Sequence, residues 1–290
     1  MAENESSLLS LSSTQAMSWN YYNWCAGYPT GPVIWSAGAV ICFVLGLPAS
    51  LWVLHELIQK QRQRSTSDIF TLSLTVIDLT FTAHLLLSVC NFMIWHNRIL
   101  EIVLDFIYCL SFIGRPLFMA CICWDCYVAV VYPIVYKTSK KLIVVKKAIT
   151  IILCLSLVVA GFASSTIQWI TTTPFFAIPL IVAMPVILFC DISILRALRK
   201  PDLTGKSKIH PQKKQALHTI SNSLIMTFIV YIPPVIMFSF GSLISLTEEV
   251  RYCCLNMAGF CFSMAGSVIM PLLYLDSVRK LKTFKDWCKK

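Results

Sequence analysis

Charge is scarce in this 290-residue chain: 13% of residues are Asp, Glu, Lys or Arg, against 57% hydrophobic. A soluble domain of this length carries about a quarter charged residues, so water is not its main solvent. Internal repetition is lacking too. No half of the sequence resembles the other, and no matching pair of Gly/Pro-broken helices marks a secondary transporter. No nucleophile–base pair or metal-spaced set of side chains is visible, which argues against an enzyme and against a metal or cofactor. The opening "MAENESSLLSLSSTQAMSW" lacks a basic segment followed by an apolar core. A cleavable signal is therefore not expected, and the first span serves as its own anchor.

What is present is length of apolar run. Seven stretches, at about 33–57, 68–94, 100–132, 143–168, 175–198, 216–243 and 250–275, are each long enough to cross a hydrocarbon core of about 30 Å. The short alternating segments of a transmembrane barrel are not seen. The reading is an all-α membrane protein: a tail over 1–32, a seven-helix bundle over 33–275, and a final segment over 276–290. In that segment Leu275, Val278, Leu281, Phe284 and Trp287 recur among Lys and Arg, as in an amphipathic helix lying on a membrane surface.

The net charge of +10 suggests nucleic acid until the charges are placed. Of 24 Lys and Arg, 21 fall at 60–64, 137–147, 196–214 and 279–290, leaving only Arg98, Arg115 and Arg251. The positive-inside rule puts those four segments in the cytoplasm and the N-terminus outside, which independently requires an odd number of spans. The basic balance then reads as topology, with attraction to anionic lipid or an acidic cytoplasmic partner, and nucleic acid is not expected. Asn4 opens a glycosylation sequon, "NES", on the outer side. Most of the 13 cysteines lie in spans, where they pack. Cys25 faces outside, as does the pair Cys253 and Cys254, so a disulfide from Cys25 to either one is open. Cys288, in the basic tail, is a candidate for palmitoylation.

Five segments, in order along the chain, carry a family resemblance. They are "GLPASLWVL" (46–54), "LSLTVIDLT" (72–80), "WDCYVAVVYP" (124–133), "FIVYIPPV" (228–235) and "MPLLY" (270–274). Together they resemble the span motifs of rhodopsin-like (class A) G-protein-coupled receptors, as a divergent member. Asp78 matches the family's second-span Asp. Asp125 and Tyr127 flank Cys126, which stands where the family has Arg. Phe228 and Pro234 match the sixth-span motif, with Tyr231 and Ile232 for Cys-Trp. Pro271 and Tyr274 match the seventh, with Met270 for Asn. Ser50 replaces the first-span Asn. Glu101 stands at the Cys that the family bridges to its second outer loop, and here that loop, "TTTPFF", has no Cys. Amine receptors place an Asp at what is Tyr108 here, which argues against an amine ligand.

Counting in from the inner ends of their spans puts Asp78 and Arg115 at similar depth, about 15 Å at ~1.5 Å per residue. A lone Arg there costs about 3 kcal/mol, so an opposite charge on the neighbouring helix is the economical arrangement. The resemblance implies a sodium-binding role for this Asp, and the expectation here is that the Arg115 guanidinium replaces that ion as a built-in counter-charge. The alternative is that Arg115 faces a water-filled cavity. Further out, Glu101 and Asp105 share one helix face, and Tyr108 and Phe112 continue it. With Tyr231 these residues form a candidate ligand pocket whose negative charge favours a basic group, although Glu101 also suits a helix end in water.

The implied function is a plasma-membrane receptor that binds an extracellular ligand and couples to a heterotrimeric G protein by helix rearrangement. Losing the Arg at Cys126, with Lys214 at the position of its usual acidic partner, removes the family's lock; an inverted Asp125–Lys214 contact is one replacement. A G-protein-silent scavenging receptor is the alternative within the fold. A small transporter is the alternative outside it.

Overall fold

The structure is a computed structural model that describes residues 25–62, 69–138, 141–166, 178–199, 220–240 and 247–277. Asn4, Lys214, Cys288, the "TTTPFF" loop and most of the final segment lie outside the described residues. The protein is an all-α, seven-helix, multi-pass membrane protein. Its candidate spans are Thr30–Gln59, Ile69–Trp95, Arg98–Val131, Leu142–Ala163, Ile178–Ala197, Ile220–Met237 and Cys253–Asp276, spans one to seven below. Helices are forced by the solvent: with no water in the hydrocarbon layer, each backbone N–H and C=O must be paired within its own segment.

Span three is the axle, with 56% of its most apolar window buried, whereas span four has 11%. Span four turns Ile151, Ile152, Leu155, Val159 and Phe162 outward, each more than half exposed, as a helix in lipid does. Two glycines set close approaches. A side chain at Gly46 would meet the Ser267 carbonyl of span seven and Thr82 of span two at 3.2 Å. One at Gly114 would meet Ile77 and Leu157 at 3.1 Å, which keeps spans two, three and four tight beside Arg115.

The turn from span two to span three is built from two asparagines. The Asn91 side chain accepts from the Asn97 backbone N–H at 3.0 Å and donates to the Asn97 carbonyl at 3.3 Å. Asn97 then caps span three by accepting from Ile99 and Leu100, satisfying N–H groups that have no helical partner. At the same end of the bundle Cys25 and Cys253 form a disulfide, with Cα atoms 5.6 Å apart. It joins the starts of spans one and seven, and Cys254 stays outside it.

Span six contains a π-helical stretch, Met226–Tyr231, before Ile232–Phe240. The adjacent Pro233 and Pro234 lack the N–H groups that would close α-helical bonds to the preceding turn, and the wider turn forms just ahead of them. It also sets which residues of the stretch face the bundle. Met226, Thr227, Val230 and Tyr231 turn inward, while Phe228 is 61% exposed on the lipid-facing side. A π turn rotates each residue less than an α turn, so Phe228 swings off the face that Tyr231 keeps. Pro234 and Pro271 are buried.

Candidate functional site

The site is assembled from the centre of the bundle outward. Asp78 and Arg115 are buried at 1% and 2% exposure, and Arg115 Nε donates to Asp78 Oδ1 at 2.6 Å. Arg115 Nη1 donates to the Ser263 carbonyl of span seven at 2.9 Å. The guanidinium carbon lies 4.1 Å from the centre of the Phe81 ring, within range of a cation–π attraction. One side chain thus ties spans two, three and seven at mid-depth. Its third nitrogen, Nη2, has no hydrogen-bond partner among the described residues.

Next to the pair is a histidine that the sequence reading passed over. His84 is buried, with Nδ1 3.2 Å from the Phe81 carbonyl and Nε2 2.8 Å from Ser88 Oγ. A carbonyl only accepts, so Nδ1 carries a hydrogen, and Nε2 shares a hydrogen bond with the Ser88 hydroxyl, which can donate or accept. The imidazole lies beside the ring that faces Arg115.

Towards the disulfide end, Tyr108 gathers an aromatic cluster: its ring lies 6.0 Å from Phe81, 5.9 Å from Phe112 and 5.0 Å from Phe260. The four pocket candidates therefore separate. Phe112 and Tyr231 are packed into the core with Cys109, Leu180, Ala183 and Val230, and Tyr108 rests against it, so these three form a floor and not an open wall. Asp105 is exposed, although its helical position lies between those of Tyr108 and Cys109, which both face the bundle. Glu101, one turn beyond, is half-buried.

At the opposite end, Asp125 has a basic partner within the described residues, while Lys214 lies outside them. Lys146 of span four pairs with Asp125 at 2.5 Å. Tyr136, on the short helix Pro133–Thr138, donates to Asp125 Oδ2 at 3.2 Å and accepts from Lys146 at 3.1 Å. The ammonium also lies 4.8 Å from the Tyr136 ring centre. The acid of the Asp-Cys-Tyr segment is thereby held towards span four and the short helix that follows span three. Cys126 and Tyr127 pack on the opposite side, with Val130, Leu195 and Leu224, against Ile194 and Ile220 of spans five and six. An apolar seam thus lies beside Cys126 and Tyr127. At the foot of span seven, Tyr274 packs against the cluster of Ala49, Val53, Leu57 and Leu275.

Another acid, also missed, is Asp191 of span five, 2% exposed and hydrogen-bonded to Ser223 of span six. Among the described residues, no group of three or more His, Cys, Asp or Glu is arranged to hold a metal ion. No family model matches the chain, and no curated protein matches it.

Proposed function

We propose that this protein is a divergent rhodopsin-like receptor of the plasma membrane, with the disulfide end extracellular and the Asp125 end cytoplasmic. An extracellular ligand would enter over the aromatic cluster, and a heterotrimeric G protein would meet the basic segments on the cytoplasmic side. One observation carries the reading: an open acid, Asp105, stands above a closed aromatic floor, and that floor rests through Phe81 on the Asp78–Arg115 pair. A ligand pressing on Tyr108 would act on the one cation that joins spans two, three and seven. It shifts the bundle only by its differential affinity for two arrangements. The carboxylate suits a basic group on the ligand, and Tyr108 and Phe260 suit an apolar or aromatic body beside it.

A G-protein-silent receptor of the same fold is the second reading, favoured by Cys126 and by the capture of Asp125 by Lys146. Nucleotide exchange on G proteins, measured in parallel for the native chain and Cys126→Arg, separates the two. Exchange by the native chain supports coupling. Exchange by the Arg form alone assigns the native chain to the silent class, and exchange by neither form removes the G-protein-coupled reading.

A further inference from the structure

Asp191 carries one oxygen, Oδ1, with no hydrogen-bond partner among the described residues, and its other oxygen contacts only the Ser223 hydroxyl. A buried carboxylate in that position is costly unless a cation or several donors compensate it. Among the described residues, the groups around it supply no cation. Cys190 is its neighbour on span five, and Cys123 lies towards it from span three. Cys126 and Tyr127 of span three pack on the adjoining Ile194–Ile220 seam. All four are thiols or a phenol, and Arg196, one turn further along span five, is exposed.

The serine gives a second, independent constraint. Its hydroxyl faces two acceptors, Asp191 Oδ2 and the Ile220 carbonyl, the latter at 3.3 Å. A serine has one proton to donate and two lone pairs with which to accept. If Asp191 is ionised, the two acceptors compete for that proton. If Asp191 carries its own proton, both contacts become proper bonds: the acid donates to Ser223 Oγ, and Ser223 donates to the Ile220 carbonyl.

We infer that Asp191 is a proton-binding site whose neutral acid latches span five to span six through Ser223. Its place in signalling rests on the receptor reading. There the latch stands where no Arg-based lock between spans three and six exists. Parting spans five and six would break the Asp191–Ser223 bond and admit water from the cytoplasmic side. The acid O–H would then ionise, its proton passing to that water and the charge remaining on Asp191. Separation of the two spans is therefore favoured by higher cytoplasmic pH.

The test is infrared spectroscopy of the purified full chain at neutral pH, in H2O and in D2O, without ligand or G protein. The expected result is a protonated-carboxyl C=O band that moves down in D2O and is lost in Asp191→Asn. In Ser223→Ala the same band moves up, as for an acid that has lost its acceptor. Asn keeps a donor for Ser223, so that variant should also keep the wild-type melting temperature, which guards against loss of folding. Identical carboxyl bands in wild type and Asp191→Asn would overturn the inference. A failure to stimulate nucleotide exchange would count against the receptor reading alone, since the spectrum is read without it.

Discussion

Asp78–Arg115 lies at mid-depth with both side chains at most 3% exposed, whereas Asp125–Lys146 lies near one end of the bundle at 16% and 7%. Both are short contacts between an acid and a base on neighbouring helices, yet they face different alternatives. When the end pair breaks, Tyr136 remains within reach of either charge, at an end of the bundle where the acid is partly exposed. When the central pair breaks, Asp78 and Arg115 both stay buried, and Arg115 keeps the Ser263 carbonyl and the Phe81 ring. The central pair is therefore a fixed structural charge pair, and the end pair is one that conformational change can exchange.

The comparison is open to attack by substitution. Arg115→Ala leaves Asp78 buried without its cation and should cost about 3–5 kcal/mol, read as a large fall in melting temperature of the detergent-purified protein. Adding Asp78→Asn to an Arg115→Met chain should recover most of that loss, because neither charge is then stranded. A wild-type melting temperature for Arg115→Ala would break the comparison outright. The covalent link at the disulfide end comes next. Cys25→Ser should cost about 2 kcal/mol, at the lower end of the range for a native disulfide, because the spans it joins are already confined by the membrane. Lys146→Ala should cost only about 1 kcal/mol, as for a pair that solvent can replace. An equal loss at Lys146 and Arg115 would erase the distinction between the two sites. The smallest effect concerns sodium: exchanging Na+ for K+ at constant ionic strength should leave the melting temperature unchanged, since a bound ion would stabilise the folded state. Stabilisation by sodium that disappears in Asp78→Asn would show that Arg115 has not taken the ion's place.

The seven spans were legible because two unrelated signals, apolar length and the placement of Lys and Arg, required the same topology. Asp78 and Arg115 were legible because depth follows from counting along a helix of known rise. The π turn that leaves Phe228 outward was not legible in the motif match, although the tandem Pro233–Pro234 was an available sign of an altered turn. Lys146 was hidden among the other basic residues near its span's end. Its contact depends on how the Pro133–Thr138 helix places Tyr136, which local pattern does not encode. Asp191 and His84 were overlooked despite a clear signal, since each is an ionisable side chain within an apolar run and is a candidate on that ground alone. Of the two cysteines open to Cys25, the structure pairs Cys253; sequence offered nothing to separate neighbours.

The most direct test is a double-mutant cycle in thermal stability on Asp78→Asn and Arg115→Met, run beside the same cycle on Asp125→Asn and Lys146→Met. The account predicts a coupling of about 2–3 kcal/mol at the central pair, within the range for contacting charges, and below about 1 kcal/mol at the end pair. Additive losses at Asp78 and Arg115 would contradict it.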